Sequence, residues 1–305
     1  MAAGSKRVIY AALAGNSLIA VTKFVAAGIT GSSAMLSEGI HSLVDTGNQG
    51  LLLYALWRAR QPADERFPFG HGKEVYFWSF VVAILIFAVG AGVSIYEGVR
   101  HILDPAELRN AVVNYIVLSL AIVFEAGAWC VAFREFRAAK GTQGYWRAVR
   151  TSKDPTLFVV LFEDSAALLG LVAALAGVGL TQLTGNGLYD GLASVAIGVI
   201  LGCTAIWLAY ETKGLLIGER ARPEVVDGIR QMAESMDIVE RVNEVLTLHM
   251  GPDYVLVTLS LEFADALTIE PLERSIESLD RRIKEAFPEV KKVFVEAESM
   301  IRPAR

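Results

Sequence analysis

Six long apolar segments constrain this chain more than any other feature. They run at about 8–28, 34–57, 75–98, 111–134, 156–180 and 189–210, and each matches the roughly 20 residues a helix needs to cross a bilayer. The 305 residues are 53% hydrophobic, too apolar for a single soluble domain. The expected organisation is a six-helix transmembrane domain over 1–210 and a smaller soluble domain over 211–305.

The connections alternate in charge. Basic residues gather near the N-terminus (Lys6, Arg7), in 58–74 (Arg58, Arg60, Arg66, Lys73) and in 134–154 (Arg134, Arg137, Lys140, Arg147, Arg150, Lys153). The opposite loops hold only Arg100 and Arg109. The positive-inside rule then places both termini in the cytoplasm. No small-residue cleavage site follows Lys6 and Arg7, so no signal peptide is expected. Ala- and Gly-rich spans with short loops suit a bacterial inner membrane. Cys130 and Cys203, in apolar segments, read as small core residues.

Beyond Tyr210 the pattern becomes that of a soluble α+β domain. A helix opens at Pro223, two strand-like runs (239–249 and 254–263) flank the turn signal Gly251-Pro252-Asp253, an amphipathic helix covers 269–287, and a last strand covers 290–297. The order is αββαβ, with helices expected on one face of the sheet. Residues 211–305 hold 19 acidic against 13 basic residues, so nucleic acid is not an expected partner.

The second span, GSSAMLSEGIHSLVDTGNQ from Gly31, carries the chemistry. Glu38, His41, Asp45, Asn48 and Gln49 follow steps of three and four, one helix face. Charged groups inside a membrane cost a few kcal/mol each and need partners or a ligand. His41 and Asp45, one turn apart, can grip one ion. In the fifth span Glu163 and Asp164 interrupt an apolar run, and at 1.5 Å per residue Asp45 and Asp164 fall within roughly 5 Å of the same depth. Nitrogen and oxygen ligands at one depth suit a divalent cation. Lys23 and Glu125, also within spans, are expected only to pair or snorkel.

GSSAMLSEGIHSLVD resembles the signature G-S-x-A-x-x-x-E-x-x-H-S-x-x-D of the cation diffusion facilitator family, and FPFGHGKE resembles that family's loop element before the third span. The resemblance covers nearly the whole chain. It implies a homodimer in a lipid bilayer, a ferredoxin-like cytoplasmic domain, alternating access, and export of divalent metal ions against protons, with no cofactor beyond the cargo. Its transport site would take His41, Asp45 and Asp164. The family's usual fifth-span ligand four residues before Asp164 is here Val160, so water, Glu163 or Asn48 would complete the shell. Zn²⁺ comes first, while a more oxygen-rich shell points to Mn²⁺, Fe²⁺ or Co²⁺.

The resemblance also implies weaker sites. In the loop, Asp64 and His71 match, but Phe67 replaces a ligating histidine. In the C-terminal domain His249, Glu296 and Glu298 stand where the family often binds metal. Lys73 and Glu219 match a charge pair near the hinge of the dimer. A membrane metalloenzyme would need a separate acid/base group and a substrate cleft, and no such motif is present; an enzyme is not expected. A nontransporting metal-sensing scaffold is the remaining alternative.

Overall fold

The computed structural model of the chain describes residues 3–105, 110–142, 144–145, 148–149, 153–264 and 268–298. Arg109, Arg147 and Arg150, used above for topology, lie outside them. Six long helices come first: α1 (Ala3–Thr30), α2 (Ser33–Arg58), α3 (Glu74–Leu103), α4 (Ala111–Lys140), α5 (Pro155–Thr184) and α6 (Leu188–Ile217). Their ends follow local chemistry. α1 stops at Gly31, whose φ of 71° suits a residue lacking Cβ. α5 starts with Pro155 after Asp154, whose carboxylate accepts from the Thr156 N–H at 3.0 Å. α3 is interrupted by a π-helical turn, Ile86–Ala91.

Four described helical stretches are long and apolar enough to cross a membrane: Glu74–Leu103, Ala111–Ala138, Phe158–Thr184 and Leu188–Ile217. Six were expected. α2 is long enough, but its polar stripe lowers its hydropathy, and the apolar stretch described in α1 is the shorter Asn16–Thr30. Glycines on both helices let α3 and α6 pack closely. A Cβ on Gly98 would lie 2.7 Å from the Val195 backbone nitrogen, and one on Gly198 would lie 2.9 Å from that of Ile95. Cys130 and Cys203 are exposed on the helix surface rather than in the core; as small, weakly polar groups they can face lipid.

The soluble part continues with α7 (Pro223–Glu234), β1 (Val239–Gly251), β2 (Tyr254–Phe263), α8 (Ile269–Ala286) and β3 (Val290–Ala297). The sheet order is β1-β2-β3; β1 and β2 are antiparallel and β2 and β3 parallel. Alternate residues of β2 (Val255, Val257, Leu259, Leu261) form the core with Val225 and Ile229 of α7 and Leu279 and Ile283 of α8. This is the period-two face of a strand meeting two amphipathic helices.

The chain divides into two compact units, Met1–Trp57 with Val75–Lys213, and Arg58–Glu74 with Gly214–Arg305. The loop between α2 and α3 therefore groups with the C-terminal residues, whereas a boundary at 210 had left it in the membrane part. Backbone contact explains the grouping. A Cβ on Gly72 would collide with the Met250 carbonyl oxygen, and one on Gly251 would stand 3.0 Å from the Gly72 Cα. Only glycine permits so close an approach.

Candidate cation site

The stripe on α2 is turned inward. Glu38, His41, Asp45 and Asn48 are all buried. His41 Nδ1 lies 3.2 Å from Asp45 Oδ1, without the alignment of a hydrogen bond. Both His41 nitrogens, Asp45 Oδ1, Asn48 Oδ1 and Gln49 Oε1 are buried with no hydrogen-bond partner. Each such orphan costs about 1–3 kcal/mol. A run of them along one helix face is what a site built for an ion would present.

α5 supplies the facing groups. Asn48 Nδ2 donates to Glu163 Oε1 at 2.6 Å, and the carboxyl groups of Glu163 and Asp45 lie within hydrogen-bond reach. Asp164 is also buried, and its electrostatic neighbours are Glu125, Glu163 and His41. The hydrogen bond to α2 is therefore made by Glu163, expected from the sequence only as one of the groups that would complete the shell. Successive helical residues point roughly 100° apart, so the rotation of α5 decides between them. Gly170 helps set that rotation, since a Cβ there would lie 2.5 Å from Glu38 Oε1. Trp129 of α4, donating to Ser165 Oγ at 2.9 Å, also contributes.

Two charges assigned no role beyond pairing or snorkelling belong to this neighbourhood. Lys23 does not snorkel: wholly buried, it donates to Glu38 Oε2 at 3.0 Å and Ser42 Oγ at 2.7 Å, tying α1 to α2. Glu125 of α4 is buried on the same stripe as Asn114, Leu118 and Ala121, and interacts electrostatically with Lys23, His41 and Glu38. Its helical spacing from Asn114 was the available signal. Among the described residues, no three His, Cys, Asp or Glu side chains are arranged to hold a metal ion as they stand.

The weaker candidates separate. Asp64 and His71 do meet, Oδ2 to Nε2 at 3.1 Å. The Phe67 ring packs on the imidazole at 4.6 Å between centroids, and Arg58 Nη2 lies 3.5 Å from His71 Nδ1. An aromatic ring and a guanidinium thus occupy positions that further ligands would need. The Phe67 N–H, then His71, hold the Asp64 carboxyl below its usual range. His249 sits opposite Val255, which pairs with Val290, while Glu296 pairs with Ser260. At about 3.3 Å per residue the sheet sets His249 about 17 Å along the strand from Glu296, with β2 between them. Glu298 instead accepts from Ser260 Oγ at 2.9 Å. Lys73 Nζ lies 3.8 Å from where a Cβ on Gly218 would be, beside Glu219.

Apolar helices of membrane-crossing length, enclosing buried ionisable groups and followed by a small sheet domain, define an integral membrane protein. The chain belongs to the cation efflux family: the family profile described as cation efflux transmembrane domain matches residues 9–217. The resemblance read from the motifs therefore holds. The chain is 36% identical over 263 residues to the mouse protein named proton-coupled zinc antiporter SLC30A9, mitochondrial, covering 85% of this chain and 46% of that one. It is 27% identical over 272 residues to metal tolerance protein C4 of Arabidopsis thaliana, covering 87% and 59%. It is 26% identical over 264 residues to the Escherichia coli cation-efflux pump FieF, covering 86% and 82%. The chain thus spans about half the length of the mouse relative.

Proposed function

We propose that this chain exports a divalent cation, Zn²⁺ first, in exchange for protons, by alternating access through a site between α2 and α5. The observation that carries this reading is the row of orphaned buried donors and acceptors at His41, Asp45 and Asn48, directly beside Glu163. Family membership and relatives named as a zinc antiporter and a cation-efflux pump support it. In this reading α1 and α2 also cross the bilayer, giving six spans. Both termini are cytoplasmic, the C-terminal domain is ferredoxin-like, the protein acts as a homodimer and it carries no enzymatic activity. A bacterial inner membrane suits the short loops, and the name of the mouse relative makes a mitochondrial membrane the competing location.

Proton coupling follows from the ligands. Imidazole binds metal only when neutral and carboxylates bind it when ionised, so cation and protons compete for the same atoms. A cation entering between Asp45 and Glu163 competes with protons for these carboxylates, which take protons up again when the cation leaves. Asp164 joins His41 and Asp45 as a ligand, with Glu163 taking the place that Val160 leaves without a donor. One histidine among several oxygens also keeps Mn²⁺, Fe²⁺ and Co²⁺ as second candidates.

Purified protein in liposomes, with a trapped pH indicator and Zn²⁺, Mn²⁺, Fe²⁺ and Co²⁺ added in turn, tests the reading. Metal-driven proton flux that Asp45→Asn and Asp164→Ala abolish is expected. Metal binding without flux would leave the sensing scaffold, and undiminished flux in Asp164→Ala would remove the proposed site.

A further inference from the structure

We propose that Asp190 is a positioning residue for the cation site, acting through the first turn of α2; this rests on the transport reading above. Asp190 lies on α6 and is completely buried. Its Oδ2 accepts from the Ser33 N–H at 2.5 Å, the Ala34 N–H at 3.3 Å and Ser33 Oγ at 3.0 Å, and its Oδ1 accepts from Ser32 Oγ at 2.6 Å. Ser32 Oγ in turn accepts from the Met35 N–H at 3.1 Å. The N–H groups that open a helix lack partners within it and are usually met by the helix's own cap. Here a carboxylate from another helix meets two of them, and its negative charge lies at the positive end of the α2 dipole. His101 Nε2, from α3, stands 3.8 Å from the same carboxylate.

One turn further on, Ser194 of α6 and Ser37 of α2 are hydrogen bonded, and Ser194 donates to the Ser94 carbonyl of α3 at 2.9 Å. Both the Ser33–Asp190 and the Ser37–Ser194 contacts span 157 residues, so α2 and α6 run parallel in one fixed register. Continued by another turn, that register sets His41 level with Gly198. Having no side chain, Gly198 cannot tie α2, and its backbone packs against Ile95 and Ala91 of α3 instead. α2 is thus fixed to α6 over its first two turns, and its ligand turns rest on Lys23 of α1 and Glu163 of α5. The height and rotation of His41 and Asp45 follow from where Asp190 holds the helix start.

The test uses the full chain with Zn²⁺ as probe, measuring affinity by calorimetry in detergent and half-saturation of flux in liposomes. Asp190→Ala is expected to weaken Zn²⁺ binding and raise half-saturation by about 10- to 100-fold, the range for groups that orient ligands. Asp190→Glu should recover part of the loss, and the maximal rate should change less than half-saturation. Ser194→Ala, a milder change, should shift both affinity and half-saturation in the same direction, and it decides the matter if Asp190→Ala does not fold. Affinity and half-saturation within twofold of wild type in the folded variants would overturn the proposal, as would a lower maximal rate alone. Wild-type protein that binds Zn²⁺ without flux would sink the transport reading, while calorimetry would still decide the role of Asp190.

Discussion

Asn48 of α2 donates to Glu163 of α5 at 2.6 Å, joining the two halves of the candidate site across 115 residues of sequence. The bond holds the Glu163 carboxyl against Asp45. Glu163→Gln keeps the shape but removes a carboxylate for which cation and protons compete. It should weaken Zn²⁺ binding about tenfold, within the range for groups around a metal site, and flatten the pH dependence of flux. Calorimetry and flux at several pH values would check both, and a wild-type pH profile would count against proton competition at Glu163.

The same competition sets a direction for the intact protein. Metal binding at the proposed site needs neutral His41 and ionised carboxylates, so affinity for Zn²⁺ should fall as pH drops from about 8 to about 6. Calorimetry in buffers of different ionisation enthalpy would count the protons released. Affinity independent of pH would exclude these ligands.

Lys23 and Glu38 form an ion pair with neither side chain exposed. Removing one partner of such a pair leaves a buried charge and costs about 3–5 kcal/mol, whereas replacing both by apolar groups is often neutral. Lys23→Met should therefore lower the unfolding temperature in detergent, and Lys23→Met with Glu38→Leu should recover much of the loss. Equal destabilisation by the single and double variants would show that the pair is not what the structure describes.

In the loop, the Asp64 carboxylate accepts from the N–H groups of Phe67 at 2.7 Å and Arg66 at 2.9 Å, and contacts His71. The first of these contributes most to holding its pKa below the usual range. A carboxyl depressed in the folded state stabilises fully above its unfolded value near 4 and loses that contribution as pH falls through the lower folded value. The loop should resist proteolysis at neutral pH and open to pepsin only below about pH 4. Asp64→Ala should open it at neutral pH.

Gly72→Ala forces a methyl group onto the Met250 carbonyl. Overpacking of this kind costs about 1–3 kcal/mol, so the variant should loosen the loop from the β1–β2 turn. Hydrogen exchange at residues 64–74 and 248–254 would register the change together, and exchange confined to one segment would argue against their packing.

Much of the architecture was legible because it rests on local periodicity. Segment lengths marked the helices, and alternation marked β2 and β3 at the residues where they occur, Tyr254–Phe263 and Val290–Ala297. The polar stripe of α2 was readable for the same reason, since steps of three and four place Glu38, His41, Asp45 and Asn48 on one face whatever lies opposite. The motifs alone also led to the family.

Everything that depended on the rotation or register of one element against another was decided by tertiary structure. Glu163 rather than Asp164 accepts the hydrogen bond from Asn48 because α5 is turned by its packing on α2 and α4. Glu125, Lys23 and Asp190 become buried polar partners of α2 only when three further helices bring them to it. His249 and Glu296 are kept apart by the sheet register, and the loop at 58–74 belongs with the C-terminal residues because Gly72 meets Gly251. A helix or strand pattern is written in residues a few positions apart. Contacts such as Ser33–Asp190 span 157 residues, and no local pattern encodes which faces will meet.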